Sequence, residues 1–267
     1  LNDPPLERFA SWGKNVLKGD FGTSITYKQQ VSTVILERFK YSIVLMLVAW
    51  CFSGIVGFLI GVLAGIYKGS LFDKIIKIFC LALQSAPTFW IGLLILSLFS
   101  VYLGWFPIGF AVPMGKLSLE ITIWDRIYHL ILPALTLSIL GISRVTLFTR
   151  QKLIEILNSD FILFAKARGE NTRQLVIRHG LRNIALPAIT EQFASFSELF
   201  GGIALAETVF SYPGLGTATT AAGLNGDVPL LLGIAIFSAI FVFVGNFIAN
   251  ILYGVLDPRL KEGKYNG

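Results

Sequence analysis

The feature that most constrains this chain is a long stretch without charge. Between Lys40 and Lys68 there is no Asp, Glu, Lys or Arg. A helix needs about 20 apolar residues to cross the hydrocarbon core of a bilayer, so residues 41–67 are long enough to span it. The same test selects residues 78–103, 127–148, 184–205 and 228–256. Arg144 lies near the end of the third run, and Glu191 and Glu198 lie inside the fourth. Pro87 falls within the second and predicts a kink there, which membrane helices tolerate. Backbone polar groups in lipid must find partners inside their own segment. The expectation is an all-α integral membrane protein with five transmembrane helices in this chain.

Composition supports that reading. Of the 267 residues, 54% are hydrophobic and 14% charged, against about 25% charged in an ordinary soluble domain. The net charge of +6 sits between the apolar runs, as expected for Lys and Arg kept on cytoplasmic loops. This argues for membrane lipid, and no nucleic acid, as the partner of the basic residues.

Orientation follows from the same residues. The connection after residue 148 holds Arg150, Lys152, Lys166, Arg168, Arg173, Arg178 and Arg182, whereas residues 210–227 hold no Lys or Arg. Lys68, Lys74 and Lys77 occupy the first short loop, and Arg259, Lys261 and Lys264 the tail. Alternating spans put all three basic segments on one side, the cytoplasm. The N-terminal segment then lies outside, although it carries Arg8, Lys14, Lys18, Lys28, Arg38 and Lys40 against Asp3, Glu7, Asp20 and Glu37. An external start predicts a sixth, N-terminal helix upstream of Leu1, missing from this chain. The expected layout is an extracytoplasmic segment at 1–40, a transmembrane domain at 41–256 with a cytoplasmic loop at about 150–183, and a cytoplasmic tail at 257–267.

Catalytic and metal-binding patterns are missing. No Gly-Lys-Ser or Gly-Lys-Thr occurs, so no ATP-binding loop of the usual kind is expected. Neither His-Glu-x-x-His nor Gly-x-Ser-x-Gly occurs. His129 and His179 are the only histidines, and Cys51 and Cys80 lie in apolar runs. No catalytic residue and no metal site is expected, and any energy must come from a partner or an ion gradient. Gly54, Gly57, Gly61 and Gly65 line one side of the first span, where small residues let helices approach closely.

Two polar features stand out. Glu191, Ser195 and Glu198 share one helix face at i, i+4 and i+7. They either line a pathway that favours a cationic cargo or hydrogen-bond to a neighbouring helix. Residues 159–182 read as two short helices around Gly169, with Glu170, Asn171 and Thr172 able to cap the second. Leu175, Val176 and His179 then share a face, with Arg173, Arg178 and Arg182 around it. Such a loop either docks a partner or lies solvated or at the lipid headgroups.

Several motifs, in order, make the chain resemble the permease subunits of dipeptide, oligopeptide and nickel ABC importers. They are Leu1-Asn2-Asp3-Pro4-Pro5, Trp12, the stretch from Gly19 to Ser24, Ser85-Ala86-Pro87-Thr88-Phe89-Trp90 and Leu132-Pro133-Ala134-Leu135-Thr136-Leu137. The Gly169 loop, His179, Arg182-Asn183 and Pro187 follow, then Glu207-Thr208-Val209-Phe210-Ser211-Tyr212-Pro213-Gly214-Leu215-Gly216 and finally Leu256-Asp257-Pro258-Arg259-Leu260.

The resemblance implies a type I ABC importer permease architecture in a bacterial cytoplasmic membrane, crossed several times. It implies that the Gly169 loop is the EAA loop, which docks on an ATPase subunit through Ala165, Lys166, Ala167, Arg168, Gly169, Glu170, Arg173 and His179. The Glu-Ala-Ala positions fall on Leu163, Phe164 and Ala165, a departure from the strict motif. Glu191, Ser195 and Glu198 would line the translocation pathway. Implied partners are a second homologous permease, two ATPase subunits that carry ATP and Mg, and an extracytoplasmic substrate-binding protein near Tyr212–Gly216. This chain itself would hold no cofactor and be no enzyme. The cargo class covers peptides, nickel and metal chelates, moved by alternating access. The rival is a secondary transporter or channel subunit, which would need intramembrane ions or inverted repeats.

The orientation predicts that a cysteine introduced next to Gly22 reacts with a membrane-impermeant thiol reagent added from outside. Reaction only from the cytoplasmic side would reverse the topology.

Overall fold

The computed structural model describes residues 4–256. Expectations for residues 1–3 and for the tail at 257–267 lie outside the described residues. Helix α1 (Pro5–Leu17) begins with proline in its first turn, where the missing N–H costs nothing. An isolated antiparallel bridge between Thr23 and Gln30 leads into α2 (Val31–Ile66). At 36 residues, α2 is about 54 Å long at 1.5 Å per residue, well beyond a hydrocarbon core of about 30 Å. It therefore starts before residue 41. A charge-free run marks the part of a helix in hydrocarbon, and Glu37, Arg38 and Lys40 ride on turns beyond it.

The second expected span is broken rather than kinked. Helix α3 (Leu71–Ser85) and helix α4 (Thr88–Leu96), which continues as a π-helix over Ser97–Tyr102, meet at an angle of 108°. Pro87 removes an N–H and pushes the preceding residue out of the helical region; Ala86 has ψ 139° and Pro87 itself ψ 136°. Helix α5 (Ile123–Leu157) starts from a Thr122–Asp125 capping box and runs on through Pro133.

Beyond it come α6 (Asp160–Ala167), α7 (Thr172–Gln174) and a π-helix over Leu175–Gly180. The fourth expected span is two 14-residue helices, α8 (Leu181–Ala194) and α9 (Phe196–Val209), which meet at Ser195. The Ser195 hydroxyl donates to the Gln192 carbonyl at 2.8 Å, a local bond that competes with the helix ladder. Helices α10 (Leu215–Leu224) and α11 (Val228–Leu256) complete the chain. Among the described residues, α2, α5 and α11 are long and apolar enough to cross a membrane, with a fourth span if the α3–α4 pair counts as one. The expected five thus include two interrupted segments.

Lipid tails are as apolar as leucine, so helices in a membrane associate through close packing. The glycine stripe supplies it between α2 and α5. A Cβ at Gly57 would lie 2.8 Å from Val145 Cβ; at Gly61, 2.7 Å from the Thr146 carbonyl oxygen; at Gly65, 2.9 Å from Leu153. Gly54 instead faces Gln192 on α8. Around this seam, Leu45, Met46 and Ala49 pack with Ala134, Leu137, Leu199 and Ile203. A second cluster joins Val31, Val34 and Ile35 to Leu215, Ala218, Leu230 and Ile234. Towards the cytoplasm, Arg150 of α5 makes a bidentate pair with buried Asp73 of α3, one contact at 2.8 Å.

Gly61→Val is expected to lower stability in detergent by about 1–3 kcal/mol, the usual cost of overpacking, read as an earlier thermal unfolding transition. Gly223→Ala on α10 meets open space and should unfold with the wild type. Equal transitions for both variants would remove the glycine seam from the account of packing.

Candidate functional site

Three places carry polar chemistry. The first is the loop between α5 and α8. Asn171 Oδ1 accepts from the Gln174 N–H and Gln174 Oε1 accepts from the Asn171 N–H, both at 2.9 Å, which starts α7. Gly169 takes φ +92°, a region that β-branched residues avoid. Ile162, Ala165 and Leu175 pack on Ile156 and Leu157 as a small core under the loop. Lys166, Ala167, Arg168, Gly169 and Arg173 are exposed, while Ala165 points inward. Glu170 and His179 are half-buried against each other, with Glu170 Oε2 3.2 Å from His179 Nε2. Phe164 and Ile177, which sequence reasoning passed over as sites, are exposed beside this basic surface. Their signal was an apolar side chain on the polar side of an amphipathic segment.

The second is a cleft lined by Thr88, Leu137, Leu140, Gly141, Arg144, Ser195, Glu198, Leu199 and Gly202. Here Arg144 of α5 forms a bidentate pair with Glu198 of α9, one contact at 2.7 Å. The structure brings Ser195 and Glu198 to one cleft but turns them differently. Ser195 is buried and Glu198 exposed, and Glu191 is not among the lining residues. The partner that sequence reasoning missed is Arg144, a lone cation in an apolar run. A charge facing lipid near the bilayer centre costs at least roughly 2.5–3.5 kcal/mol. The side chains of Arg144 and Glu198 are 40% and 60% exposed, so this face meets water or another protein.

The third is the turn between α9 and α10. Glu207 is fully buried. Its carboxylate accepts from the Ser42 hydroxyl at 2.5 Å and the Gly216 N–H at 2.6 Å, and Ser42 Oγ accepts from the Leu215 N–H at 2.8 Å. The carboxylate thus satisfies the orphan donors and the positive end of α10. A Cβ at Gly214 would fall 1.9 Å from Glu207 Oε1, and one at Gly216 2.3 Å from Ala204 Cα. Buried Tyr212 in the same turn has its phenol pushed up to about 12, chiefly by burial. Past α10, Asp227 accepts from Ser24 Oγ at 2.5 Å, Thr26 N–H at 2.9 Å and Leu230 N–H at 3.2 Å. Burial raises the Asp227 pKa, but these hydrogen bonds outweigh it and hold the carboxyl below its ordinary value. The sequence signal for Glu207 was an acid followed by closely spaced glycines. Among the described residues, no three His, Cys, Asp or Glu cluster as metal ligands.

This order of helices, with the α3–α4 pair sharply bent and a helical loop between α5 and α8, is the fold of a type I ABC importer permease. The inward-facing MetNI methionine ABC transporter has a chain that superposes with TM-score 0.63 at 17% identity, covering 84% of this chain and 96% of that one. The chain belongs to the family described as binding-protein-dependent transport system inner membrane component, whose profile matches residues 57–262. It is a multi-pass inner-membrane protein. The oligopeptide transport system permease protein AppB of Bacillus subtilis is 37% identical over 98% of this chain and 82% of its own length. The di/tripeptide transport system permease protein DppB of Pseudomonas aeruginosa is 33% identical over the same shares, 98% and 82%.

Glu207→Ala would leave the Gly216 N–H and the Ser42 hydroxyl without their acceptor, at a local cost of about 1–3 kcal/mol. Amide hydrogen exchange across α10 should accelerate accordingly, with α2 and α5 unaffected. Unchanged protection of α10 would mean that the carboxylate does not hold it.

Proposed function

We propose that this chain is one of two homologous permease subunits of an ATP-driven peptide importer. The observation that carries the reading is the match, along nearly the whole chain, to permeases named for oligopeptide and di/tripeptide transport. Two ATPase subunits, which bind ATP and Mg, sit under the cytoplasmic loop. An extracytoplasmic binding protein delivers cargo at the external end, beside α10. Glu198, Ser195 and Glu191 belong to the pathway between the two permeases. A nickel complex is the less favoured cargo. In the cleft Glu198 is already paired with Arg144, which competes with any cation for it.

The mechanism is alternating access. ATP binds the closed ATPase dimer better than the open one, and this differential affinity shifts the permease between states. The push reaches the membrane through the loop. Its inward residues rest on the end of α5 and its outward residues, Lys166, Arg168, Arg173, Phe164 and Ile177, offer charge and apolar area to a partner. Gly180, where the loop joins α8, sits against Leu153 of α5 with no room for a side chain. Displacement of the loop is therefore passed to α5 and α8 together. The Gly169 turn sets where the outward residues stand.

Gly169→Val forces a β-branched residue to positive φ, at a cost of roughly 1–3 kcal/mol, without touching any neighbour. The variant is expected to insert and assemble, yet to lose peptide uptake and cargo-stimulated ATP hydrolysis together in reconstituted complexes. Charge reversal at Arg173 should act in the same direction. Wild-type transport from fully assembled Gly169→Val complexes would exclude this loop from coupling, and failure of ATPase subunits to co-purify with the wild type would favour a secondary transporter or channel.

A further inference from the structure

The Arg144–Glu198 pair has features that a simple structural tie lacks. It joins α5 to the first turn of α9, at the interruption that halves the fourth span. The cleft also includes Thr88, the first residue after the break that divides α3 from α4. Two discontinuous segments thus border one cleft. Irregular backbone at membrane depth is tolerated only where protein covers it or water reaches it. Gln84, Ser85 and Pro87 at the first break are exposed, and Gly201 beside Glu198 has open space where a side chain would be. The other ion pair between these helices, Asp73 with Arg150, has a buried carboxylate that also accepts from the Gly69 N–H. Among the described residues Arg144 and Glu198 have no hydrogen-bond partner besides each other, and Glu191 adds a favourable charge interaction with Arg144.

We propose that Arg144 and Glu198 form a station for the charged termini of a peptide, in which the mutual pair is exchanged for two pairs with cargo. The guanidinium takes the C-terminal carboxylate and Glu198 takes the N-terminal ammonium. The inference rests on the placement of Glu198 in the pathway and names what it recognises there. The chemistry follows from charge balance. Opening the pair with nothing to replace it leaves two half-exposed charges without a partner and gives up their mutual attraction. A zwitterion restores a partner to each. A lone metal cation satisfies Glu198 and strands Arg144, and a lone anion does the reverse. The station therefore discriminates by penalising the wrong ion as much as by attracting the right cargo, and it stays closed when no peptide is present. Arg144 suits the role because its planar donor fork matches a carboxylate in two-point contact.

The test uses complete transporters in proteoliposomes with their own binding protein. Cargo is a dialanine peptide with free termini, its C-terminal amide and its N-acetyl form. The binding protein is common to all reactions, so its preference cancels when variant is compared with wild type. Arg144→Gln should lower the uptake ratio of free peptide to amide by roughly threefold or more, the size expected when a half-exposed charge pair is lost. Glu198→Gln should lower the ratio of free peptide to N-acetyl peptide similarly, each variant leaving the other ratio nearer its wild-type value. If a single variant does not assemble, the neutral double variant Arg144→Gln/Glu198→Gln carries the test, since it strands no charge; it should lose both discriminations. Uptake that falls by one common factor for all three cargoes would reduce the pair to a structural tie. Normal ratios in every variant would overturn the station as well. Absence of dialanine uptake by the wild type would instead count against the peptide-importer reading itself.

Discussion

The seam between α2 and α5 is the contact on which the other elements depend. Gly57, Gly61 and Gly65 bring two helices of 36 and 35 residues close enough for backbone to meet side chain. Bilayer lipid supplies no hydrophobic drive for association, so this proximity and the dispersion it permits hold the pair. Everything else is mounted on it. Broken segments α3–α4 and α8–α9 lean on α5, and α10 and α11 lean on α2. The two-helix spine thus carries the interrupted segments around it.

The parts of the fold legible in the sequence were those set by the cost of charge in lipid. That cost decides where residues 41–67 and 228–256 lie, and it needs no knowledge of neighbours. The glycine stripe was legible for a similar reason, since only close approach explains small residues at that spacing. The helix breaks were less so. At residues 86–87 a proline permits either a kink or a rupture, and the hydropathy of the flanks is the same for both. At Ser195 the interruption depends on a hydroxyl bonding back to Gln192, which serine does in some helices and not in others.

Among the polar residues the pattern is similar. Asn171 was legible as a cap because capping is local, and Gly169 as a turn because its neighbours say so. Arg144 and Glu207 were seen as residues but not as partners. Arg144 lies 54 positions from Glu198, and Glu207 lies 165 positions from Ser42. Pairing across such separations is decided by packing of helices, which one sequence read alone does not order. The stripe of Glu191, Ser195 and Glu198 presumed one shared face, but the cleft takes in Ser195 and Glu198 and leaves partly buried Glu191 out of its lining.

The mounting of α10 has an evolutionary corollary. Glu207 at one end and Asp227 just past the other grip this region mainly by main-chain N–H groups and by Ser24 and Ser42, which lie elsewhere in the chain. The side chains of α10 that help to hold it, Leu215, Ala218 and Ala222, lie on its inner face. Thr220, Leu224 and Asn225 on its outer surface are thus free to drift without unseating the helix. With a delivery protein docked there, as proposed above, a lineage could retool that surface while inheriting the scaffold intact, since the residues that hold the helix and those that face outward are different.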